Sequence, residues 1–266
     1  MSVLPPELPT DLPGWLRPLA EALPHVRPEQ ISRFLPPAEG VRRYSAVLVL
    51  FGADVPGEPD LLLIERAATM RSHAGQPAFP GGALDPEDGG PVAAALREAQ
   101  EEVGLDPSTV EVLGTLPDLW LPPSGFVVTP VVAWWRAPHP VRVVDVAEVA
   151  AVARVPLSRL TDPDHRLRVT HPSGWIGPAF DTGPMLVWGF TAGVLDRLLA
   201  LGGWERPWDP SRTQELAPEV VALARASSPA FPTPAQLEEA LDDVLADEVL
   251  ADDPIGEAGP ALRPAP

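Results

Sequence analysis

Apolar residues along this chain gather into runs of strand length. Ser45 to Phe51 (SAVLVLF) and Asp60 to Glu65 (DLLLIE) read as two buried strands, parted by a loop with Gly52, Pro56, Gly57 and Pro59. Further apolar stretches at 110–116, 126–135 and 149–155 predict more strands. Between them, residues 67–90 form a glycine- and proline-rich segment with no sustained period, and a loop that long inside a domain is usually functional or disordered. Pro91 then opens a helix at its first position and Gly104 closes it. A second helix is predicted over 188–201, ahead of Gly202 and Gly203, and shorter ones near 15–22 and 28–34. Strands, an internal helix, more strands and a late helix predict an α+β fold, a mixed sheet with helices packed against it.

Composition narrows this picture. With 266 residues, 45% apolar and 21% charged, the chain can bury a sizeable core. Its 37 prolines demand many turns. The formal charge of -18 argues against polyanionic partners, nucleic acid and anionic membrane alike. Half of that charge comes from nine acidic residues between Glu238 and Glu257, a stretch with no basic residue, so an anionic small substrate stays open. There is no cysteine, which excludes disulfides, thiolate metal sites and cysteine nucleophiles. The first residues, MSVLPPELPTDLPGW, lack a basic region followed by an apolar one, and no apolar run approaches a membrane span. A soluble, cytoplasmic protein is expected.

The chemistry points to the helix after Pro91. Glu98, Glu101 and Glu102 stand at i, i+3 and i+4, on one broad face. Clustered carboxylates repel one another and raise each other's pKa unless a cation neutralises them. Hard divalent ions, Mg²⁺ or Mn²⁺, suit such a set. Arg97, four residues before Glu101, can orient its carboxylate. Val92, Ala95, Leu96, Ala99 and Val103 form the opposite, packing face. An acidic helix face is also how an ordinary solvated helix looks. The long loop feeding this helix and the glycine stop after it separate the two readings.

Arg97-Glu98-Ala99-Gln100-Glu101-Glu102-Val103-Gly104-Leu105 resembles the second half of the Nudix box. Segment 66–82, with Arg66, Arg71, His73, Gly75, Gln76, Phe79, Pro80, Gly81 and Gly82, is similar to the segment that marks the coenzyme A pyrophosphatase branch of that superfamily. The stretches Leu121-Pro-Pro-Ser124-Gly125-Phe126 and Trp188-Gly189-Phe190-Thr191-Ala192 are similar to it as well. The resemblance spans roughly residues 41–201. The box departs from the general form: counted from Gly82, the acidic position falls on Asp88, one residue further from the arginine and with aspartate for glutamate. That longer form resembles the coenzyme A branch, and it makes Asp85, Glu87 and Asp88 loop-structural residues.

The resemblance implies a Nudix-type α/β/α sandwich with a mixed sheet and a catalytic loop-helix-loop over 41–201. Before it lies a proline-rich extension, 1–40, and after it an acidic extension, 202–266, partly disordered with one helix at 233–250. It implies catalytic Arg97, Glu98, Glu101 and Glu102, the three glutamates holding Mg²⁺ or Mn²⁺. Substrate contacts fall to Arg66, Arg71, Gly81, Gly82 and Ser124. The two arginines contact phosphate or pair with nearby acids, and the two glycines serve backbone shape and close approach. His73 reads as a structural hydrogen-bonder before a base, and Glu148 as an outside carboxylate or a surface charge. The implied reaction is hydrolysis of the diphosphate of coenzyme A or its thioesters, giving 3′,5′-ADP and 4′-phosphopantetheine or its acyl form. Hydrolysis of ADP-ribose, a dinucleotide or an oxidised nucleotide is the alternative; a non-catalytic ligand-binding module is the second. Domains of this type often form homodimers.

Overall fold

The computed structural model of the chain describes residues 8–31, 43–55, 57–70, 72–121 and 125–227. Arg71, Ser124 and the helix expected over 233–250 lie outside the described residues. Strands β1 (Arg43–Val55) and β2 (Glu58–Arg66) pair antiparallel, and β1 continues through Gly52, where a loop was expected. Alternate side chains of a strand leave on opposite faces, so an unbroken apolar run needs cover on both sides. In β1, Ala46, Leu48 and Leu50 enter one apolar cluster while Val49 and Phe51 enter another. β2 divides likewise, Leu62 and Ile64 from Leu61 and Leu63.

The large sheet grows around this pair. β3 (Pro77–Ala78) and β4 (Gly81–Ala83), both within the glycine-proline segment, pair with β2 and β1. β5 (Val110–Thr115), β6 (Leu119–Leu121), β7 (Phe126–Trp135) and β8 (Val149–Pro156) complete it. The strand order is β3-β2-β1-β7-β5, with β4 added on β1, β6 on β7 and β8 on β2. β1 and β7 run parallel over Arg43–Phe51, whereas the other neighbours are antiparallel, so the sheet is mixed.

One face is covered by α3 (Pro91–Val103), whose Ala94, Ala95, Ala99 and Val103 pack into the first cluster. Small residues there bring the helix axis close to the sheet. The helix ends at Gly104, whose φ of 71° is the left-handed conformation that suits glycine. The other face is covered by α1 (Arg17–Ala22), α2 (Pro28–Ile31) and α5 (Gly189–Leu201), through Leu19, Ile31, Leu195 and Leu198 among others. Helices on both faces of a mixed sheet make an α/β/α sandwich, as expected.

A second sheet follows β8 and the short α4 (Leu157–Leu160). It contains β9 (Arg166–Thr170), β10 (Ile176–Asp181), β11 (Leu186–Val187) and β12 (Thr213–Glu215), in the order β11-β10-β9-β12. β12 runs parallel to β9, and α6 (Pro218–Ser227) packs behind them through Val221 and Ala224, against Leu167, Val169 and Trp188. This helix reaches back to the segment before β3. A Cβ on Gly75 would overlap the Leu223 side chain. Among the described residues no helix is long and apolar enough to cross a membrane.

Candidate functional site

Pairing of β8 with β2 sets Val149 opposite Arg66, so Glu148, just ahead of β8, sits at the end of β2. The Ala67 N–H donates to the Glu148 carbonyl at 2.8 Å, which holds the two segments together there. The helix α3 lies over the same face and adds Glu98 and Glu102. Carboxylate oxygens of Glu98, Glu102 and Glu148 all lie within 4.8 Å of one another. Glu148 therefore joins the cluster, in keeping with its reading as an outside carboxylate.

Glu102 is the deepest member, only 2% exposed. Its Oε2 accepts from the Gly81 N–H at 2.9 Å, and its Oε1 is buried without a hydrogen-bond partner, 3.9 Å from Arg66 Nη1. Burial pushes the Glu102 carboxyl up to about 8; the Gly81 N–H and Arg66 oppose this, while Glu98 and Glu148 add to it. Burial also raises Glu98, against the pull of Arg97. Gly82 has room for this arrangement only because it lacks a side chain, since a Cβ there would overlap the Glu98 carboxylate. Gly81, at φ 153°, could not carry a Cβ either, which would meet the backbone of Ala46 and Val47. The close approach these glycines permit is thus to the chain's own groups.

Glu101, expected in the same cluster, is not brought into it. A step of one residue turns a helix by about 100°, and that is enough to carry Glu101 off the sheet side. Its side chain is 58% exposed, and its Oε2 accepts from Arg97 Nη1 at 3.0 Å, the i, i+4 pairing expected for Arg97. Arg97 does more than that. Its Nε and Nη2 donate to the two carboxylate oxygens of Asp88, each at 3.0 Å; Nη2 also reaches the Ala83 carbonyl and lies 3.1 Å from Glu98 Oε1. The Asp88 carboxyl, held well below the usual carboxylate range by this guanidinium and by the Asp85 N–H, closes the loop onto the helix. Asp88 is a loop-structural residue, as its place in the lengthened box implied. Asp85 is exposed at 3.6 Å from the arginine. The bidentate Asp88–Arg97 bond was not foreseen; the extra residue between them was the signal.

Beside the carboxylates lies a pocket that shares Arg66, Gly81 and Gly82 with them. Ser72, His73, Gln76 and Thr191 line it with polar groups, and Leu121, Phe126, Val128, Trp188 and Phe190 form an apolar wall. Arg43 stacks over Phe126, 4.2 Å from the ring centre. Described residues of the three quoted stretches, among them His73, Leu121, Phe126 and Trp188, thus meet in one cavity. A carboxylate cluster of this kind can hold a hard cation, and the neighbouring arginine and apolar wall can hold an anionic ligand with an apolar part.

A NUDIX domain is recognised over residues 41–172. The Cronobacter sakazakii protein described as the uncharacterized Nudix hydrolase NudL is 46% identical over 156 residues, covering 56% of this chain and 78% of that protein. The protein of that description from Escherichia coli K12 is 40% identical over 154 residues, 53% of this chain and 74% of the relative. A solved Nudix hydrolase from M. smegmatis, RenU, is similar at 22% identity with a TM-score of 0.44, over 65% of this chain and 93% of that one. On the two sequence relatives, the chain belongs to the Nudix hydrolase family.

Proposed function

We propose that this Nudix hydrolase cleaves the diphosphate of coenzyme A or its thioesters, with Mg²⁺ or Mn²⁺, to give 3′,5′-ADP and 4′-phosphopantetheine or its acyl form. The observation that carries the reading is the junction of the Glu98, Glu102 and Glu148 cluster with a pocket that is cationic at Arg66 and apolar beyond it. Segment 66–82, which resembles the coenzyme A pyrophosphatase branch, supplies Arg66, His73, Gln76 and the two glycines to that junction.

The donor set fits a hard divalent cation. Three carboxylates converge, and the buried Oε1 of Glu102 makes no hydrogen bond. A cation held by Glu98, Glu102 and Glu148 would neutralise phosphate charge and lower the pKa of a bound water. Arg66 contacts a phosphate oxygen. Arg97 and Asp88 fix the loop that carries Gly81 and Gly82, and so keep Glu98 and Glu102 in place. Attack by water forms a new P–O bond as the bridging P–O bond breaks, and a carboxylate oxygen of Glu148 takes the water's proton. The apolar wall accommodates the pantetheine arm.

A substrate panel with Mg²⁺ or Mn²⁺ tests this. Coenzyme A should disappear with stoichiometric release of 3′,5′-ADP. Strong preference for ADP-ribose or a dinucleotide would remove the substrate and keep the chemistry. Absence of turnover on every member, with binding retained, would favour a ligand-binding module.

A further inference from the structure

Among the described residues, His73 is the one non-glycine residue with a positive φ, 55°. Histidine tolerates the left-handed region better than most side chains, yet the conformation is uncommon and persists where surroundings enforce it. Here a tight turn does so. The Gln76 N–H donates to the His73 carbonyl at 3.2 Å, and His73 Nδ1 lies within hydrogen-bond distance of Gln76 Oε1, at 3.1 Å. The turn is tied to the end of β2, since the Gly75 N–H donates to the Arg66 carbonyl and the Arg66 N–H to the Gln76 carbonyl, both at 3.0 Å.

With Gln76 Oε1, an acceptor, facing the ring, the tautomer that satisfies the clamp carries its proton on Nδ1 and leaves Nε2 with a bare lone pair. Nε2 is buried and has no hydrogen-bond partner. The ring forms part of the pocket wall beside Arg66, Gln76 and Phe79. Burial and the nearby Arg66 charge both favour the neutral ring. A phosphate oxygen has nothing to donate, so it cannot satisfy this nitrogen. A ligand group that hydrogen-bonds to it must bring an O–H or N–H.

We propose that His73 is a substrate-contacting residue, whose Nε2 accepts a hydrogen bond from a hydroxyl or N–H on the non-phosphate part of the substrate. Arg66 and the carboxylate cluster then handle the diphosphate, and His73 reads what is attached to it. This rests on the reading that the pocket holds the diphosphate substrate, though not on that substrate being coenzyme A.

Two substitutions separate contact from turn-making. His73→Asn keeps a residue that accepts a positive φ, and His73→Gly removes the backbone strain. With the best substrate of the wild-type panel, both should raise KM about tenfold, the usual worth of one hydrogen bond. kcat should stay near the wild-type value and thermal stability should not fall. Lower stability with unchanged KM would make His73 a turn residue only, and a loss confined to kcat would also overturn the contact. ¹⁵N NMR of labelled histidine in the Glu102→Gln protein gives a second readout. The Nε2 signal should be that of an unprotonated nitrogen, moving when coenzyme A or ADP-ribose is added. Ligand binding that leaves the signal in place refutes the inference while the substrate reading stands. Binding by ADP-ribose alone does the reverse.

Discussion

The two sides of α3 carry the same residue type in opposite circumstances. On the sheet side, Glu98 and Glu102 meet Glu148, with Arg66 at 3.9 Å from Glu102 and one carboxylate oxygen unsatisfied. On the loop side, Glu101 and Asp88 share the Arg97 guanidinium through bonds near 3.0 Å. One side buries carboxylates with an oxygen left unsatisfied; on the other, both acids are held by hydrogen bonds from Arg97, which also reaches across to Glu98. The difference teaches that glutamate spacing on a helix locates acids, while the neighbours decide whether they await a cation or hold a loop.

The largest break in that contrast should come from Glu102→Gln. The amide keeps the size of the side chain and loses the charge. Since charge stabilisation by a bound cation is worth several kcal/mol, turnover should drop about a thousandfold, with metal affinity lost alongside. Isothermal titration with Mn²⁺ and a steady-state assay check it, and wild-type turnover in this variant would remove the proposed site. On the loop side, Asp88→Asn should cost about ten- to a hundredfold in turnover, the range for residues that orient ligands. Glu101→Gln should cost less than Glu102→Gln, because its carboxylate is mostly exposed and Asp88 still holds Arg97. Equal losses at 101 and 102 would erase the distinction between the sides.

A smaller effect is expected in the metal-free protein as pH changes. Burial holds the Glu102 carboxyl at about 8, against 4.5 for the exposed group. Between those values the folded chain keeps a proton that the unfolded chain has released, so stability falls as pH rises through the window and levels off above it. Glu98, also raised by burial, acts in the same sense, and His73, lowered by burial, acts against it. Thermal unfolding in chelator at pH 5.5 and pH 8 should show a lower midpoint at the higher pH. The drop should shrink in Glu102→Gln, and an identical drop in both proteins would assign it to other groups.

Much of this was legible in the sequence because its signals are local. Pro91 and Gly104 bound α3, and unbroken apolar runs mark the strands covered on both faces. Spacing marked Glu98 and Glu102 together with Glu101, and the long loop before the helix and the glycine stop after it gave that set its weight. The second sheet was not read. β9 to β12 are two to six residues long, and the pairing of 213–215 with 168–170 joins distant segments, so neither period nor turn signals could reveal it. α6 escaped notice for a related reason: its Val221 and Ala224 make an apolar face only beside the strands it covers. Glu148 was named from its place before a strand, but its arrival at Glu102 depends on β8 lying along β2. Glu101 and Glu102 differ by one position, and only the packed helix shows which is shut away from water.

The meeting of Gly75 with Leu223 has a bearing on how such a chain can be shortened or diversified. The residues 41–172 that carry the family likeness stop well before the helix that shelters the turn behind His73. A fragment cut after Leu201 would hold every glutamate of the site and yet leave that turn without its backing. Changes in the downstream arm can therefore reshape the pocket wall at His73 while the carboxylates stay untouched, a way for the proposed ligand preference to drift without alteration of the carboxylate cluster.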